Sequence, residues 1–317
     1  MSNNNSTSVV IQTSNSLIMA YYPLFLVIVG TFLNLLTFVV LCLPTFNDSK
    51  YPATIYYMRA IAIFDILMLY GWNLDHYVSN VYGFLLQRYS IVLCKFLSFL
   101  NYFAAQTSAW LRVFMCFDRY IFLSHLHQTW FNRSENVRLI ILFTILFFTL
   151  FNFHMILFAC FRTKRGTINV NAPQYRIYPF WDYINLGVYN CAPFLLMVVF
   201  NSGVIYRLIQ FHRSTSISTS RIHYRTISIT LVVTTFLFLM MTIPATVSFA
   251  FFYSKVNVTF LHLLDSVLYT YHISSFPLYF IIFNQFRHEC LTLFACQFEK
   301  LKYASRRRSS SYLTHRL

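Results

Sequence analysis

The chain has 317 residues, 57% of them hydrophobic and only 10% charged, with a mean hydropathy of +0.56. Such proportions exclude an ordinary soluble domain and leave the lipid bilayer as the expected solvent, a soluble all-helical core being the alternative. The formal net charge of +15 does not call for nucleic acid: a basic inner rim facing anionic lipid accounts for it, at about 1 kcal/mol per nearby Lys or Arg.

In chain order, residues 1–16, MSNNNSTSVVIQTSNS, have no basic stretch ahead of an apolar core and so do not read as a cleaved signal peptide; a flexible tail is expected. Seven apolar runs follow, at about 17–43, 53–80, 91–123, 137–160, 183–211, 224–253 and 260–284. Each has the roughly 20 residues that one bilayer crossing needs. The predicted fold is therefore an all-α membrane protein, a seven-helix transmembrane bundle over 17–284. Most of the 24 Lys and Arg residues fall into the cytoplasmic loops if the amino terminus is outside, among them Arg133, Arg138, Arg207 and Arg306 to Arg308. That orientation leaves the sequons at Asn4, Asn5 and Asn257 outside, where glycosylation occurs. Of the seven cysteines, Cys94, Cys160 and Cys191 lie near the oxidising face, so at most one disulfide is expected among them.

The third run carries charge where hydrocarbon is expected, in SAWLRVFMCFDRYIFL (108–123). On a helix Asn101, Ala105, Ser108, Arg112, Met115 and Arg119 share one face, which must look into the bundle. Arg112 lies roughly 10 Å deeper than Arg119, and a guanidinium with no partner at such depth costs at least about 2.5–3.5 kcal/mol. The other charge at comparable depth is Asp65, in AIAIFDIL of the second run. An Arg112–Asp65 ion pair is thus predicted; the alternative is that Arg112 snorkels to the inner face or binds carbonyls of a neighbouring helix.

Cys94 at the outer end of the third run and Asp118, Arg119 and Tyr120 at its inner end, 25 residues from Cys to Arg, resemble the rhodopsin-like family of G-protein-coupled receptors. The resemblance covers about 17–298. It implies that Arg119 engages a heterotrimeric G protein once the helix ends open, Asp118 holding it beforehand. Asn34, Asp65 and Ser108 match the family's buried polar core, where a sodium ion binds; an Arg112–Asp65 pair would take that ion's place. Pro193 and Pro244 match the kinks of its fifth and sixth spans. SFPLY (275–279) stands in place of the family's NPxxY, which makes Ser275, Pro277 and Tyr279 activation switches. Thr242, in MTIP, replaces the family's tryptophan toggle. The resemblance further implies a Cys94–Cys160 disulfide, an amphipathic eighth helix over 285–298 opening near Phe286, a disordered cytoplasmic tail over 299–317, and palmitoylation of Cys296, with Cys290 second.

For the ligand, Asn101 occupies the place where amine receptors carry an aspartate, and Tyr269 that of the retinal lysine of opsins, so the resemblance implies neither amine nor retinal. Asp75, His76, Trp181, Asp182 and Asp265, together with Asn101 and Tyr269, suit a short peptide with an Arg or an amidated aromatic end. This pattern is similar to invertebrate FMRFamide-type neuropeptide receptors. Several alternatives stay open: aromatic residues that merely anchor the interface, a lipid, acidic or small-molecule ligand suggested by Arg162, Lys164 and Arg165, a chemosensory role, or a seven-span transporter, although neither repeated halves nor broken helices are apparent. No metal-ligand spacing, phosphate-binding loop or nucleophile with a positioned base supports an enzyme, and no cofactor is expected. The expected setting is the plasma membrane, with lipid, an extracellular ligand and a G protein as partners.

Overall fold

A computed structural model describes residues 4–47, 52–125, 133–164, 166–171, 177, 179–214, 220–253 and 255–295, with side chains from residue 20 onward except at 47, 52, 125, 211–214, 220–228 and 258. In chain order the helices are α1 (Asn4–Leu41), α2 (Pro44–Asn47), α3 (Pro52–Leu69), α4 (Trp72–Tyr82), α5 (Ile91–His125), α6 (Ser134–Phe158), α7 (Phe180–Asn185), α8 (Ala192–Ser214), α9 (Ser220–Val247), α10 (Val258–Tyr271), α11 (Ser275–Ile282) and α12 (284–295). Between α6 and α7 the short strands β1 (Phe161–Arg162) and β2 (Ile168–Asn169) pair antiparallel.

The protein is a helical, multi-pass membrane protein. Five segments among the described residues are helical, long and apolar enough to cross a bilayer: Ala20–Leu41, Ala53–Tyr82, Ser134–Phe158, Phe180–Gln210 and Ile229–Phe252. The expected runs at 91–123 and 260–284 differ from these for separate reasons. The first forms the 35-residue helix α5, whose length is ample but which carries Lys95, Arg112, Asp118 and Arg119. The second is interrupted by a turn at His272–Ser274, which leaves helices of 14 and 8 residues. Pro277 cannot donate to the Ile273 carbonyl, and proline fits best in a helix's first turn, so a break just ahead of it is favoured.

Helix α5 is central, packing on α3, α6 and α8, while α1 lies along α3 and α4, and α9 along α8, α10 and α11. Its polar face explains that placement, because Ser98, Asn101, Gln106, Ser108, Arg112, Asp118 and Arg119 are all buried. By contrast α6 exposes Leu142, Phe143, Leu146, Phe147 and Leu150, an apolar face suited to lipid.

Local chemistry sets several boundaries. Helix α4 ends at Gly83, which takes the left-handed conformation (φ 74°) that a helix stop favours. Asn257 caps α10 by accepting a hydrogen bond from the Thr259 N–H at 3.0 Å through Oδ1. A turn of π-helix at Leu186–Cys191 precedes α8, consistent with Pro193 lacking the N–H that an α-helical continuation would use. A second π-turn, Ser248–Phe252, follows Pro244 of α9. At the foot of α6 the chain turns through Cys160, a non-glycine residue at φ 61°, held by its N–H donating to the Val170 carbonyl at 3.1 Å and by its bond to Cys94.

The structure modifies some expectations. The segment 1–16 is helical from Asn4 instead of an irregular tail, and the side chains of Asn4 and Asn5 lie outside the described residues. Helix α12 covers the described part of the eighth helix expected over 285–298; Cys296 and the tail 299–317 lie outside the described residues. Cys290 is fully buried, which removes its thiol from the lipid surface that acylation requires. The Cys94–Cys160 disulfide is present, with Cα atoms 6.1 Å apart and a sequence separation of 66. For a loop of that length chain-entropy arguments give about 4 kcal/mol, so Cys94→Ala/Cys160→Ala should unfold well below the wild type in a thermal scan, and a matching midpoint would show that the bond is dispensable.

Candidate functional site

Three polar layers lie along α5, and the innermost surrounds Asp65. The Arg112 guanidinium of α5 donates from Nη2 to Asp65 Oδ2 on α3 at 2.7 Å. It also donates from Nη1 to Ser108 Oγ, whose own hydroxyl donates to Asp65 Oδ1 at 2.7 Å. His272 Nδ1 stands 2.7 Å from the same Oδ1, and Ser275 Oγ donates to Oδ2 at 3.4 Å. None of Asp65, Arg112, Ser108, His272 and Ser275 is more than 4% exposed. The flat guanidinium also lies over the Tyr271 ring, 4.9 Å from its centroid. One carboxylate thus holds α3, α5 and the break between α10 and α11 together. The carbonyl that this break frees at His272 is satisfied by Asn34 Nδ2 of α1 at 3.0 Å.

Towards the Cys94 end of α5, a central cavity of about 40 Å³ is lined by Trp72, Asn101, Tyr102, Asp182, Asp265 and Tyr269 among others. Tyr269 donates to Asn101 Oδ1 at 3.0 Å and Tyr102 donates to Asp182 Oδ1 at 3.0 Å. Tyr269 also lines a second cavity, of about 230 Å³ between α1, α4 and α10, together with His76. His76 Nε2 lies 3.0 Å from Asp265 Oδ2, and its ring meets that of His262 edge-on at 4.5 Å. Of the residues expected at a ligand mouth, Asn101, His76, Asp182, Asp265 and Tyr269 come together. Asp75 and Trp181 line neither cavity: Asp75 accepts the Gln87 N–H at 3.3 Å, and Trp181 packs on Phe151, His154 and Tyr102. Tyr189 lines the central cavity and reaches His272 Nε2 at 3.2 Å, which connects it to the Asp65 layer.

At the other end of α5, Asp118 and Arg119 are buried, and Thr54 of α3 donates to Asp118 Oδ2 at 3.1 Å. Tyr120 points to α8, where its ring stacks on Phe200 at 6.2 Å. Gly203 permits that approach, since a Cβ there would fall 2.5 Å from Tyr120 Cε2. Gly203→Ala should therefore displace the ring and cost about 1–3 kcal/mol, the usual range for overpacking; an unchanged unfolding midpoint would mean that Tyr120 moves aside freely. Tyr279 is buried with its ring 5.9 Å from Phe286.

Neither the protein-family models nor the curated proteins compared with the chain give a match. The assignment of the site therefore rests on its geometry.

Thr242 was expected in place of an aromatic switch and instead belongs to a hydroxyl and amide ladder. Its Oγ1 lies 2.7 Å from Asn190 Oδ1 and 2.6 Å from the Phe238 carbonyl, while Asn190 Nδ2 donates to Thr246 Oγ1 at 2.7 Å. A hydroxyl has one proton to give, so Thr242 serves one of its two acceptors at a time. Thr235 of α9 similarly accepts from Asn201 Nδ2 of α8 at 2.8 Å. Sequence reasoning missed His272, Tyr189, Asn190 and Thr54. The only signal for His272 was its place just after Tyr269 and Tyr271 and five before Pro277, which does not identify a hub.

Proposed function

We propose that the protein is a seven-span receptor of the rhodopsin-like type at the plasma membrane, amino terminus outside, that converts binding of an extracellular ligand, a short neuropeptide, into activation of a heterotrimeric G protein. In this reading α5 is the third span and α10 with α11 the seventh. The observation that carries it is the arrangement along one helix: the Cys94–Cys160 disulfide and the two cavities at one end, buried Asp118 and Arg119 at the other, and the Asp65 layer between. The layer supplies a discrete element that binding at one end can bias, through Tyr189 and His272, and that the other end can report. Pro244, the π-turn after it and the turn before Pro277 are the places where helices can bend.

The broken helix at His272–Ser274 beside a buried charge layer also supports a second reading, a transporter with a polar midplane site. One experiment separates them. Cells expressing the full chain are exposed to libraries of short amidated peptides, amines and lipids, and nucleotide exchange on G proteins is read out. Exchange driven by a peptide is expected. Uptake of a labelled solute without exchange would replace the receptor by a transporter, and exchange driven only by a lipid or an odorant-like molecule would replace the peptide.

A further inference from the structure

The acids at the Cys94 end of the molecule are not equivalent. Asp75 is engaged by the Gln87 N–H and lines neither cavity, whereas Asp182 and Asp265 both line the central one. Among the described residues no Lys or Arg lines that cavity. Asp182 accepts only from Tyr102, through Oδ1, and Asp265 pairs only with His76, through Oδ2, so each retains an oxygen without a hydrogen bond among the described residues. Two carboxylates facing one small space concentrate negative potential in it, and the Trp72, Tyr102 and Tyr269 rings in its wall are surfaces to which cations are drawn. A volume of about 40 Å³, against the roughly 10–15 Å³ that one water needs, admits the tip of a ligand and not its body. His76, which holds Asp265 from outside the central cavity, lines the neighbouring 230 Å³ cavity, which gives its ring space into which to withdraw.

We propose that the central cavity holds the cationic tip of the ligand, a guanidinium or primary ammonium, between Asp182 and Asp265, and that this tip takes Asp265 from His76. The exchange would uncouple α4 from α10 at the point where His76 now joins them. This rests on reading the cavity as a receptor's ligand site, and it adds the sign of the ligand's charge and the contact that it breaks.

The test uses the purified full chain in nanodiscs and follows thermal unfolding with three probes: N-acetyl-arginine amide, its neutral isostere N-acetyl-citrulline amide, and the anionic N-acetyl-glutamate amide. The arginine probe should stabilise the protein at concentrations about tenfold below those the citrulline probe requires, the difference expected between charge-assisted and neutral hydrogen bonds. The glutamate probe should have no effect. Asp182→Asn and Asp265→Asn should each abolish the preference, and His76→Ala should strengthen it several-fold by removing the competitor. Equal responses to the arginine and citrulline probes, no response to any of them, or a preference that survives both aspartate variants would overturn the proposal. Should either variant fail to fold, the comparison of probes on the wild type decides alone. A charge preference without G-protein activation would defeat the receptor reading and leave the cavity's assignment standing; activation without the preference would defeat the present proposal only.

Discussion

Arg112→Leu and Asp65→Asn should each destabilise the protein more than the double variant does. Removing one partner of a buried ion pair strands the other charge, typically at a cost of about 3–5 kcal/mol, whereas replacing both removes the desolvation cost as well. The surroundings also predict an order. With Arg112 gone, Asp65 still has His272 Nδ1 at 2.7 Å, along with the Ser108 and Ser275 hydroxyls, so hydrogen-bond partners for the carboxylate remain. With Asp65 neutralised, Arg112 retains Ser108 and the face of Tyr271, neither of which carries negative charge. Asp65→Asn should therefore be the more severe of the two, by unfolding midpoint of the purified protein and by surface level in cells. The guanidinium fills the space beside the carboxylate, so exchanging sodium for choline in the buffer should leave the midpoint where it is. Additive defects in the double variant, or a clear stabilisation by sodium, would show that the pair does not function as one unit.

Arg119→Ala should remove G-protein activation while leaving probe binding at the far end of α5 intact. The side chain is only 3% exposed, and the neighbouring carboxylate of Asp118 is fixed to α3 through Thr54. If activation consists in releasing that guanidinium to a partner's carbonyls or carboxylates, the alanine variant forfeits charge-assisted hydrogen bonds worth about 1.5–3 kcal/mol, or roughly ten- to hundredfold in coupling. Arg119→Lys keeps the charge but not the planar fork, so it should restore a fraction of the activity at most. Nucleotide exchange at matched surface expression is the measurement. Wild-type activation by the alanine variant would remove the main support for the receptor reading.

Much of this site was legible in the sequence because lipid penalises errors severely. A guanidinium within an apolar helix, seven residues deeper than Arg119, must be paired, and Asp65 was the one charge at comparable depth; the 2.7 Å contact between them follows from that constraint. The long apolar runs were equally plain, since about 20 residues of hydrocarbon side chains have few other uses. Spacing along one helix likewise placed Asn101, Ser108, Arg112 and Arg119 on a shared buried face.

What the sequence did not determine is which distant side chain completes each polar group. His272 and Asp65 are 207 residues apart, and no periodicity links them; their meeting depends on the turn before Pro277 aiming the imidazole inward. In the same way, Asp75, Asp182 and Asp265 look alike as acids near helix ends. Only the packing of α4 against the Leu86–Arg88 turn and of α10 against α4 commits Asp75 to a backbone N–H, pairs Asp265 with His76 and leaves Asp182 facing the cavity. The sequence by itself set which segments are apolar enough to suit a membrane and that their charges need partners, because burial costs are local to each residue. The tertiary structure alone decided who the partners are, because a hydrogen bond depends on distances of a few tenths of an ångström between groups that the chain's order does not relate.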